Sequence, residues 1–400
     1  MFMIYLDHAS TTPLNKEVAK AMADFGVKKF GNPSSLYRLG REAAQAIGAA
    51  RTSIAKILDC EPSEIIFTSG GTESDNLAIF GVANQFLGNA KNYHLITTNI
   101  EHSAVLNSFK ALEKRGFSVT YLPVDKYGLV NQRDIMKSLR PNTILVSVMY
   151  ANNEIGTIEP IAEIAHVIKN YRHIQRVDTV SKEPRFPIFH TDACQAAGYL
   201  DLSIENLGVD LMTLNGSKIY GPKQTGILYK NKNIKLDPIL YGGDQEYGLR
   251  PGTENVPGII GFAKALDLAQ KSKKKEVTRL NKLRDYFIME VLKIKNTALN
   301  GHPTLRLPNN VNISFLGVEG ESVMLKLDSL GIYISTGSAC HSLSLEPSHV
   351  ITALGHEAEH AHGSIRFTFG SSTTKKDLDY VLRVLPKIIK DLRGMSAVKY

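Results

Sequence analysis

The stretch Asn-Gly-Ser-Lys-Ile-Tyr-Gly-Pro-Lys at residues 215–223 places Lys218 shortly after an apolar run. That run, residues 209–214, has the length and composition of a buried strand. A lysine at the end of a buried strand loses part of its hydration, which lowers its pKa and makes its amine a better nucleophile toward an aldehyde. The same pattern also fits a surface lysine in a turn, so this segment alone leaves both interpretations open.

Other polar segments also follow predicted strands. Ser-Gly-Gly-Thr at residues 69–72 opens a helix, where backbone N–H groups and the Thr72 hydroxyl could approach an anion. His102 could cap a helix or stack its flat ring on a cofactor. Asp192 could cap a helix or hold a heteroaromatic nitrogen in its protonated form. Because ligands bind outside the carboxyl ends of strands in α/β sheets, these segments predict one shared site.

The pattern that must position these residues is an alternation of helices and strands from about residue 15 to residue 230. It predicts an α/β fold with a mostly parallel central sheet and helices on both faces. The predicted strands are residues 65–68, 94–98, 119–122, 143–149, 188–190 and 209–214, followed by 312–315 and 365–369. Long amphipathic helices dominate the last third, so we predict a large domain over residues 14–260 and a smaller α+β domain from residues 1–13 and 261–400.

Composition narrows the functional class. The net charge is +8, but much of the excess lies at residues 271–275 and on the solvent face of the helix that follows. No basic groove interleaved with aromatic residues accompanies it, which argues against direct nucleic-acid binding. No uncharged apolar run approaches the length of a membrane span, and Asp7 and His8 break any signal-peptide pattern. Three scattered cysteines fit neither a disulfide framework nor a zinc site, so we expect a cytoplasmic protein without a membrane partner.

Taken in order, the motifs resemble those of the cysteine desulfurase family, class V aminotransferase-like enzymes that use pyridoxal 5'-phosphate. The matching segments are Tyr5-Leu6-Asp7, Gly31-Asn32-Pro33-Ser34-Ser35, Glu101-His102, Asn152-Asn153-Glu154-Ile155-Gly156, Lys218-Ile219-Tyr220-Gly221-Pro222-Lys223, Arg250-Pro251-Gly252-Thr253-Glu254-Asn255, Gly337-Ser338-Ala339-Cys340, Leu345-Glu346-Pro347-Ser348-His349-Val350 and Ser364-Ile365-Arg366-Phe367. The resemblance covers nearly the whole chain. It implies a homodimer with the fold type I of pyridoxal phosphate-dependent transferases, of the kind that serves iron–sulfur assembly.

The resemblance also implies roles for single residues. Lys218 would bind the cofactor's aldehyde as a Schiff base and then move the substrate's Cα proton as a general base. Asp192 would pair with the pyridinium nitrogen, and Gln195 would reach the ring hydroxyl. His102 would stack on the ring and take the proton of the substrate thiol.

Two further groups follow from the resemblance. Residues that would hold the cofactor's phosphate are Gly71, Thr72, Asn215, Gly216 and Ser217, together with Thr253 from the neighbouring subunit. Arg366, with Asn153, would bind the substrate's carboxylate in a two-pronged geometry. Asn215 stands where the family usually has serine, and Ser217 where it usually has histidine. Both residues can still donate a hydrogen bond to phosphate.

Cys340 lies among glycine, serine and alanine, a setting that suits an exposed nucleophile better than a packed core thiol. In the family this cysteine attacks the sulfur of cofactor-bound L-cysteine, keeps it as a persulfide, and L-alanine is released. The sulfur then passes to an acceptor protein, such as an iron–sulfur scaffold or a sulfur carrier, or serves tRNA thiolation. Since one position cannot serve both steps, we expect residues 337–344 to move as a lid.

Two alternatives stay open. The long segment at residues 171–186 and the residues from 242 to 251 resemble those of selenocysteine lyases, so a selenocysteine lyase is the nearer one. The substitutions at Asn215 and Ser217 prompt the other, a catalytically reduced homologue that acts as a structural partner.

We predict that Cys340→Ala still binds the cofactor but releases no sulfide from L-cysteine. Lysine and ring chemistry only prepare the substrate, whereas sulfur abstraction needs a thiolate. The measurement is sulfide release with a reductant, beside the cofactor's visible absorption. Cys60→Ala is the control and should stay active; normal sulfide release without Cys340 would transfer the role to another residue.

Overall fold

The computed structural model describes residues 3–177, 186–336 and 347–395. The strands are β1 (Ile4–Tyr5), β2 (Ile65–Thr68), β3 (His94–Thr98), β4 (Ser118–Leu122), β5 (Thr143–Ser147), β6 (Ile188–Asp192), β7 (Leu211–Asn215), β8 (Gly226–Lys230), β9 (Thr297–Asn300), β10 (Asn310–Phe315), β11 (Ile332–Tyr333), β12 (Ser335–Thr336) and β13 (Ser364–Thr368). The α-helices are α1 (Lys16–Val27), α2 (Arg38–Leu58), α3 (Gly71–Ala83), α4 (Ser103–Lys114), α5 (Gln132–Ser138), α6 (Ile161–Val177), α7 (Ile204–Leu207), α8 (Val256–Val291), α9 (Gly320–Asp328), α10 (His349–Ala353), α11 (Ala358–His362) and α12 (Lys375–Met395).

The central sheet has the order β2-β8-β7-β6-β5-β3-β4. The strands β7, β6, β5, β3 and β4 run parallel, and β8 is antiparallel to both of its neighbours. The prediction of a mostly parallel sheet is therefore confirmed. Strand β8 was missing from the predicted set, because an apolar run of three residues between Gly226 and Lys230 gives only a weak strand signal.

Both faces of this sheet are covered by helices, as predicted. Neighbouring residues of one strand point to opposite faces, so Ile188 of β6 packs in one apolar core and Phe189 in the other. The core around Phe189 includes buried residues of α2, α6 and α8, and the core around Ile188 includes residues of α3 and α4. The strands are thus buried on both sides, which is typical of parallel sheets.

A second sheet, with the order β12-β13-β10-β9, is antiparallel and carries a third apolar core. The start of the chain joins this core: β1 pairs with β11, and Leu6 packs with Phe287 of α8. Helix α8 runs without a break across residue 260, with Phe262 in the first core and Phe287 in the third. The division of the chain into domains at residue 260 stays a prediction.

Two stretches of interest fall outside the described residues. The long segment near residues 171–186 is described only up to residue 177 and from residue 186 onward, and Cys340 lies in the interval between residues 336 and 347. The predicted motion of residues 337–344 concerns the same interval. Among the helices that the structure describes, none has the length and apolar character needed to cross a bilayer.

Phe287→Ala should lower the free energy of unfolding by about 3–5 kcal/mol, the usual cost of emptying a buried phenylalanine site. The Phe287 ring is fully buried and makes edge-to-face contacts with Phe367 and Phe369, with centroids 5.0 Å and 5.6 Å away. Met289→Ala is the control, since Met289 lies on the same helix but is 56% exposed. Urea denaturation of both variants gives the comparison, and equal losses would mean that the third core is not packed around Phe287.

Candidate active site

A cavity of about 390 Å³ opens at the carboxyl ends of the parallel strands. Segments that follow β2, β3, β5, β6 and β7 all contribute to its wall, as expected for a ligand site of an α/β sheet. The predicted site residues that line it are Gly71, Thr72, His102, Asn153, Asp192, Gln195, Asn215, Lys218 and Arg366. Residues that are far apart in the sequence therefore meet at one site.

Three of the other predicted residues are described by the structure but do not line the cavity, and one lies outside the described residues. Gly216 and Ser217 are not among the described residues that line the cavity, although they belong to the same turn as Lys218. The Ser217 hydroxyl donates to Asn215 Oδ1 at 3.1 Å. Thr253 is exposed on this chain, and its predicted place in the partner's site stays a prediction. Cys340 lies outside the described residues.

Lys218 ends a short turn that continues strand β7 into the cavity. The turn is tight: a Cβ on Gly216 would lie 2.5 Å from Thr225 Oγ1, so only glycine fits there. Lys218 Nζ donates to the backbone carbonyl of Ser10 at 2.6 Å. The chain's first residues therefore cover this side of the cavity and hold the amine inside it.

The N-terminus of helix α3 faces the cavity through Gly71 and Thr72. Gly70, its N-cap, has a φ of 145°, which favours glycine, and no described side chain caps the helix. A Cβ on Gly71 would lie 2.8 Å from Cys194 Sγ, so the close packing here also requires glycine. Uncapped N–H groups at the start of a 13-residue helix can bind an anion.

Asp192 lies at the end of β6, where Oδ1 accepts a hydrogen bond from the Cys194 backbone N–H at 2.9 Å. A second carboxyl, Asp75 of α3, is 1% exposed and also lines the cavity. Burial, and then the charge of Asp192, raise the pKa of Asp75 well above its usual range. Burial at this position therefore favours the neutral form of Asp75 more than an exposed site would.

His190 lies next to Asp75 and is fully buried. Its Nε2 is 3.7 Å from Asp75 Oδ1 and 3.1 Å from the Thr213 hydroxyl, and its Nδ1 is 2.8 Å from the Ser147 hydroxyl. Burial lowers the pKa of His190 to about 4, so the ring is neutral. The His190 ring therefore forms hydrogen bonds with the Ser147 and Thr213 hydroxyls and adds no positive charge near Asp75.

His102 caps helix α4, since its Nδ1 accepts a hydrogen bond from the Ala104 backbone N–H at 3.1 Å. In a neutral ring the proton is therefore on Nε2. Glu101 beside it is fully buried, and burial raises the pKa of its carboxyl well above the usual range. Glu101 Oε1 accepts hydrogen bonds from the Thr98 hydroxyl and the Met149 N–H, which ties the end of β3 to the end of β5.

Arg366 enters the cavity from β13 of the second sheet and is 2% exposed. Its Nη1 donates to the Asn153 carbonyl at 2.8 Å. Its Nη2 donates to Asp7 Oδ1 at 2.9 Å and to the Ser10 hydroxyl at 2.7 Å. These partners leave Nε without a hydrogen bond among the described residues, so the guanidinium has donor capacity left for a bound carboxylate.

Glu154 also lines the cavity, although it is not among the predicted site residues. Its carboxyl is 5% exposed and accepts a hydrogen bond from the Ser348 hydroxyl at 2.5 Å. Burial raises the pKa of Glu154 to about 7, while the Ser348 hydrogen bond and the charge of Arg366 limit the rise.

Other contributors were missed for different reasons. The sequence could have indicated Asp75, because it lies four residues after Gly71 and thus on the same face of α3. No local sequence pattern indicates the contacts of Ser10 and Asp7 with Arg366, because these contacts join opposite ends of the chain.

The described residues fit pyridoxal phosphate. A cavity-lining amine, a buried carboxylate and an uncapped helix N-terminus correspond to the aldehyde, the ring nitrogen and the phosphate of that molecule. Glycine at position 71 also lets the start of helix α3 pack against Cys194, the second residue after Asp192.

Comparisons with known proteins agree with this fit. The sequence model of the family Aminotransferase class-V matches residues 4–381. The chain is 53% identical over 397 residues to a cysteine desulfurase IscS from Dictyoglomus turgidum, covering 99% of this chain and 97% of the relative. A solved NifS-like protein superposes with a TM-score of 0.88 at 35% identity, covering 98% of this chain and 100% of the other. A solved structure of SspA in complex with cysteine gives 0.77 at 34% identity, covering 92% and 99%.

Fold, site and family model together define a pyridoxal phosphate-dependent enzyme of the class-V aminotransferase type. Within that class, the chain belongs to the cysteine desulfurase family.

Glu154→Gln should make the unfolding free energy less dependent on pH. The pKa of Glu154 rises from 4.5 to about 7 on folding, so its stabilising contribution is complete below pH 4.5 and is lost as pH rises through 7. Glutamine stays neutral at every pH. The difference in unfolding free energy between the variant and the wild type should therefore shift by about 3 kcal/mol in favour of the variant when the pH is raised from 4 to 8.

Urea denaturation at both pH values gives the comparison. The control is Glu163→Gln, a carboxyl on the exposed side of α6, which should follow the wild type. A Glu154→Gln difference that is the same at both pH values would contradict the raised pKa.

Proposed function

We propose that this cavity removes sulfur from L-cysteine and that Cys340 receives it. The observation that carries the proposal is the convergence of the Lys218 amine, the Asp192 carboxylate and the Arg366 guanidinium on one cavity of a cysteine desulfurase fold. The relative solved in complex with cysteine supports L-cysteine as the substrate.

The cofactor would be held by residues at the strand ends. Asp192 would face the ring nitrogen and Gln195 the ring hydroxyl, while the N-terminus of α3 with Thr72, and Asn215, would hold the phosphate. Bound pyridoxal phosphate supplies an electron sink for the bond changes at the substrate. Gln195 Nε2 also donates to the Ala9 carbonyl at 3.0 Å, so the covering N-terminal segment and the ring would share this side chain.

Arg366 would bind the carboxylate of L-cysteine, with Asn153 beside it. Its guanidinium is already oriented by the Asn153 carbonyl, Asp7 and Ser10, so little side-chain entropy is lost on binding. Lys218 would move the proton at the substrate's Cα. His102 lines the same cavity from the segment after β3, and its ring would stack on the cofactor and accept the thiol proton.

Cys340 would attack the substrate's sulfur as a thiolate. A sulfur–sulfur bond forms, the carbon–sulfur bond breaks, and the carbon takes up a proton on the way to L-alanine. The other two cysteines are poorly suited: burial raises the pKa of Cys60 to about 12 and that of Cys194 well above its usual range. Both stay protonated at neutral pH, which supports Cys340 as the nucleophile.

The working unit would be a cytoplasmic homodimer in which Thr253 serves the partner's site. Exposed apolar side chains support an interface: Leu36 is 88% exposed and Tyr241 is 86% exposed. The persulfide would pass to an acceptor protein, such as an iron–sulfur scaffold or a sulfur carrier for tRNA thiolation.

The experiment that tests the proposal supplies L-cysteine and a reductant to the cofactor-loaded protein and measures sulfide and L-alanine in equal amounts. Selenocysteine is tested in parallel, because a strong preference for it would favour a selenocysteine lyase. Cofactor binding without turnover of either substrate would favour a catalytically reduced structural partner.

Lys218→Ala should abolish turnover and the visible absorption of the bound cofactor, since the amine that binds the aldehyde is removed. Lys223→Ala, five residues later and exposed, is the matched control and should keep both. Sulfide release by Lys218→Ala would assign the proton transfer to another group.

A further inference from the structure

Ser348 lies eight residues after Cys340 in the sequence and directly precedes helix α10. Ser348 is 5% exposed and is the N-cap of this helix, its Oγ accepting a hydrogen bond from the Ile351 N–H at 3.3 Å. The same hydroxyl donates to Glu154 Oε2 at 2.5 Å. One buried serine thus begins the helix and fastens it to the segment after β5.

A second contact fastens α10 to the segment after β3. His349 lines the cavity, and its Nε2 donates to the Glu101 carbonyl at 3.1 Å. Val350 and Ile351 then pack with Ile100, which precedes Glu101, in a small apolar cluster separate from the three large cores. Helix α10 is therefore docked against the two turns that carry His102 and Asn153.

Glu154 is itself held rigidly. The Asn152 side-chain oxygen accepts hydrogen bonds from the Glu154 and Ile155 N–H groups, and its amide donates to the Ile100 carbonyl. The neighbouring Asn153 carbonyl accepts from Arg366 Nη1. The carboxyl that meets Ser348 is therefore fixed relative to the guanidinium proposed to bind the substrate's carboxylate.

The described residues that precede Cys340 are also tied to Arg366. Thr336 lies four residues before Cys340 and belongs to β12, which pairs with β13. In that pairing Ser335 lies opposite Arg366. Both described ends of the segment are thus tied to Arg366, one through the sheet and the other through Ser348 and Glu154.

We propose that Glu154 and Ser348 are positioning residues for sulfur transfer: their hydrogen bond holds Ser348, where helix α10 begins, in a fixed position relative to Arg366. The described residues on both sides of the segment that contains Cys340 are then tied to the residue proposed to bind the substrate's carboxylate. The inference rests on the proposed function. Transfer between two sulfur atoms needs close approach, and misplacing a reacting group by about 1 Å can cost up to about 100-fold in rate.

The test compares three serine variants of the cofactor-loaded protein. Ser348→Ala removes the hydrogen bond to Glu154, and Ser348→Thr keeps a hydroxyl. Ser203→Ala is the matched control, because Ser203 is 7% exposed and caps the short helix α7 through a 3.4 Å hydrogen bond to Asn206, away from the cavity.

Two quantities are measured for each variant. The dissociation constant for L-cysteine comes from the change in cofactor absorption, and the single-turnover rate of persulfide formation on Cys340 comes from mass spectrometry. Ser348→Ala should slow persulfide formation about tenfold or more, with the dissociation constant within about twofold of the wild type. Ser348→Thr should restore most of the rate, and Ser203→Ala should change neither quantity.

Three outcomes would overturn the inference. They are a Ser348→Ala transfer rate within about twofold of the wild type, an equal loss in Ser203→Ala, or a loss of cysteine binding as large as the loss of transfer. The last two would make Ser348 a residue of general stability. A wild type that forms neither L-alanine nor persulfide would instead contradict the proposed function, so the two failures are distinguishable.

Discussion

The buried guanidinium of Arg366 is the constraint on which the rest of the site depends. A buried charge is costly unless it is paired and hydrogen-bonded, so the fold must bring partners to it. Those partners come from the first ten residues and from the turn after β5, while the arginine itself lies on β13. The hydrogen bonds of this one side chain therefore connect the N-terminal segment, the large sheet and the small sheet. All three contribute residues to the wall of the cavity.

Burial also changes the pKa values of the carboxyls around the cavity. Several carboxyls surround the cavity, and their mutual repulsion would be large if all were ionised. Burial raises the pKa of Asp75 and that of Glu101 well above the usual range, so both carboxyls favour the neutral form more than an exposed carboxyl does. The neutral ring of His190 fits the same arrangement. Asp192 and Arg366, the residues proposed to face the cofactor's ring nitrogen and the substrate's carboxylate, both line this cavity.

The sequence was informative where function follows local pattern. Strand-end motifs located Lys218, Asp192 and His102, because parallel strands bring their carboxyl ends to one edge of a sheet. The sequence did not indicate the contacts between distant segments around the cavity, such as Ser10 with Arg366 or Ser348 with Glu154. Neither serine differs locally from an ordinary turn or capping residue, so only the tertiary fold reveals its partner.

The pairing of β1 with β11 has a consequence for biosynthesis. Ile4 lies opposite Ile332, so the first strand of the chain stays without its partner until most of the protein has been made. The strands of the large sheet, between residues 65 and 230, are complete much earlier and can assemble as the chain leaves the ribosome. The cavity gains its arginine only with β13, close to the end of synthesis. A nascent or truncated chain would therefore carry Lys218 without the Arg366 guanidinium that lines the same cavity.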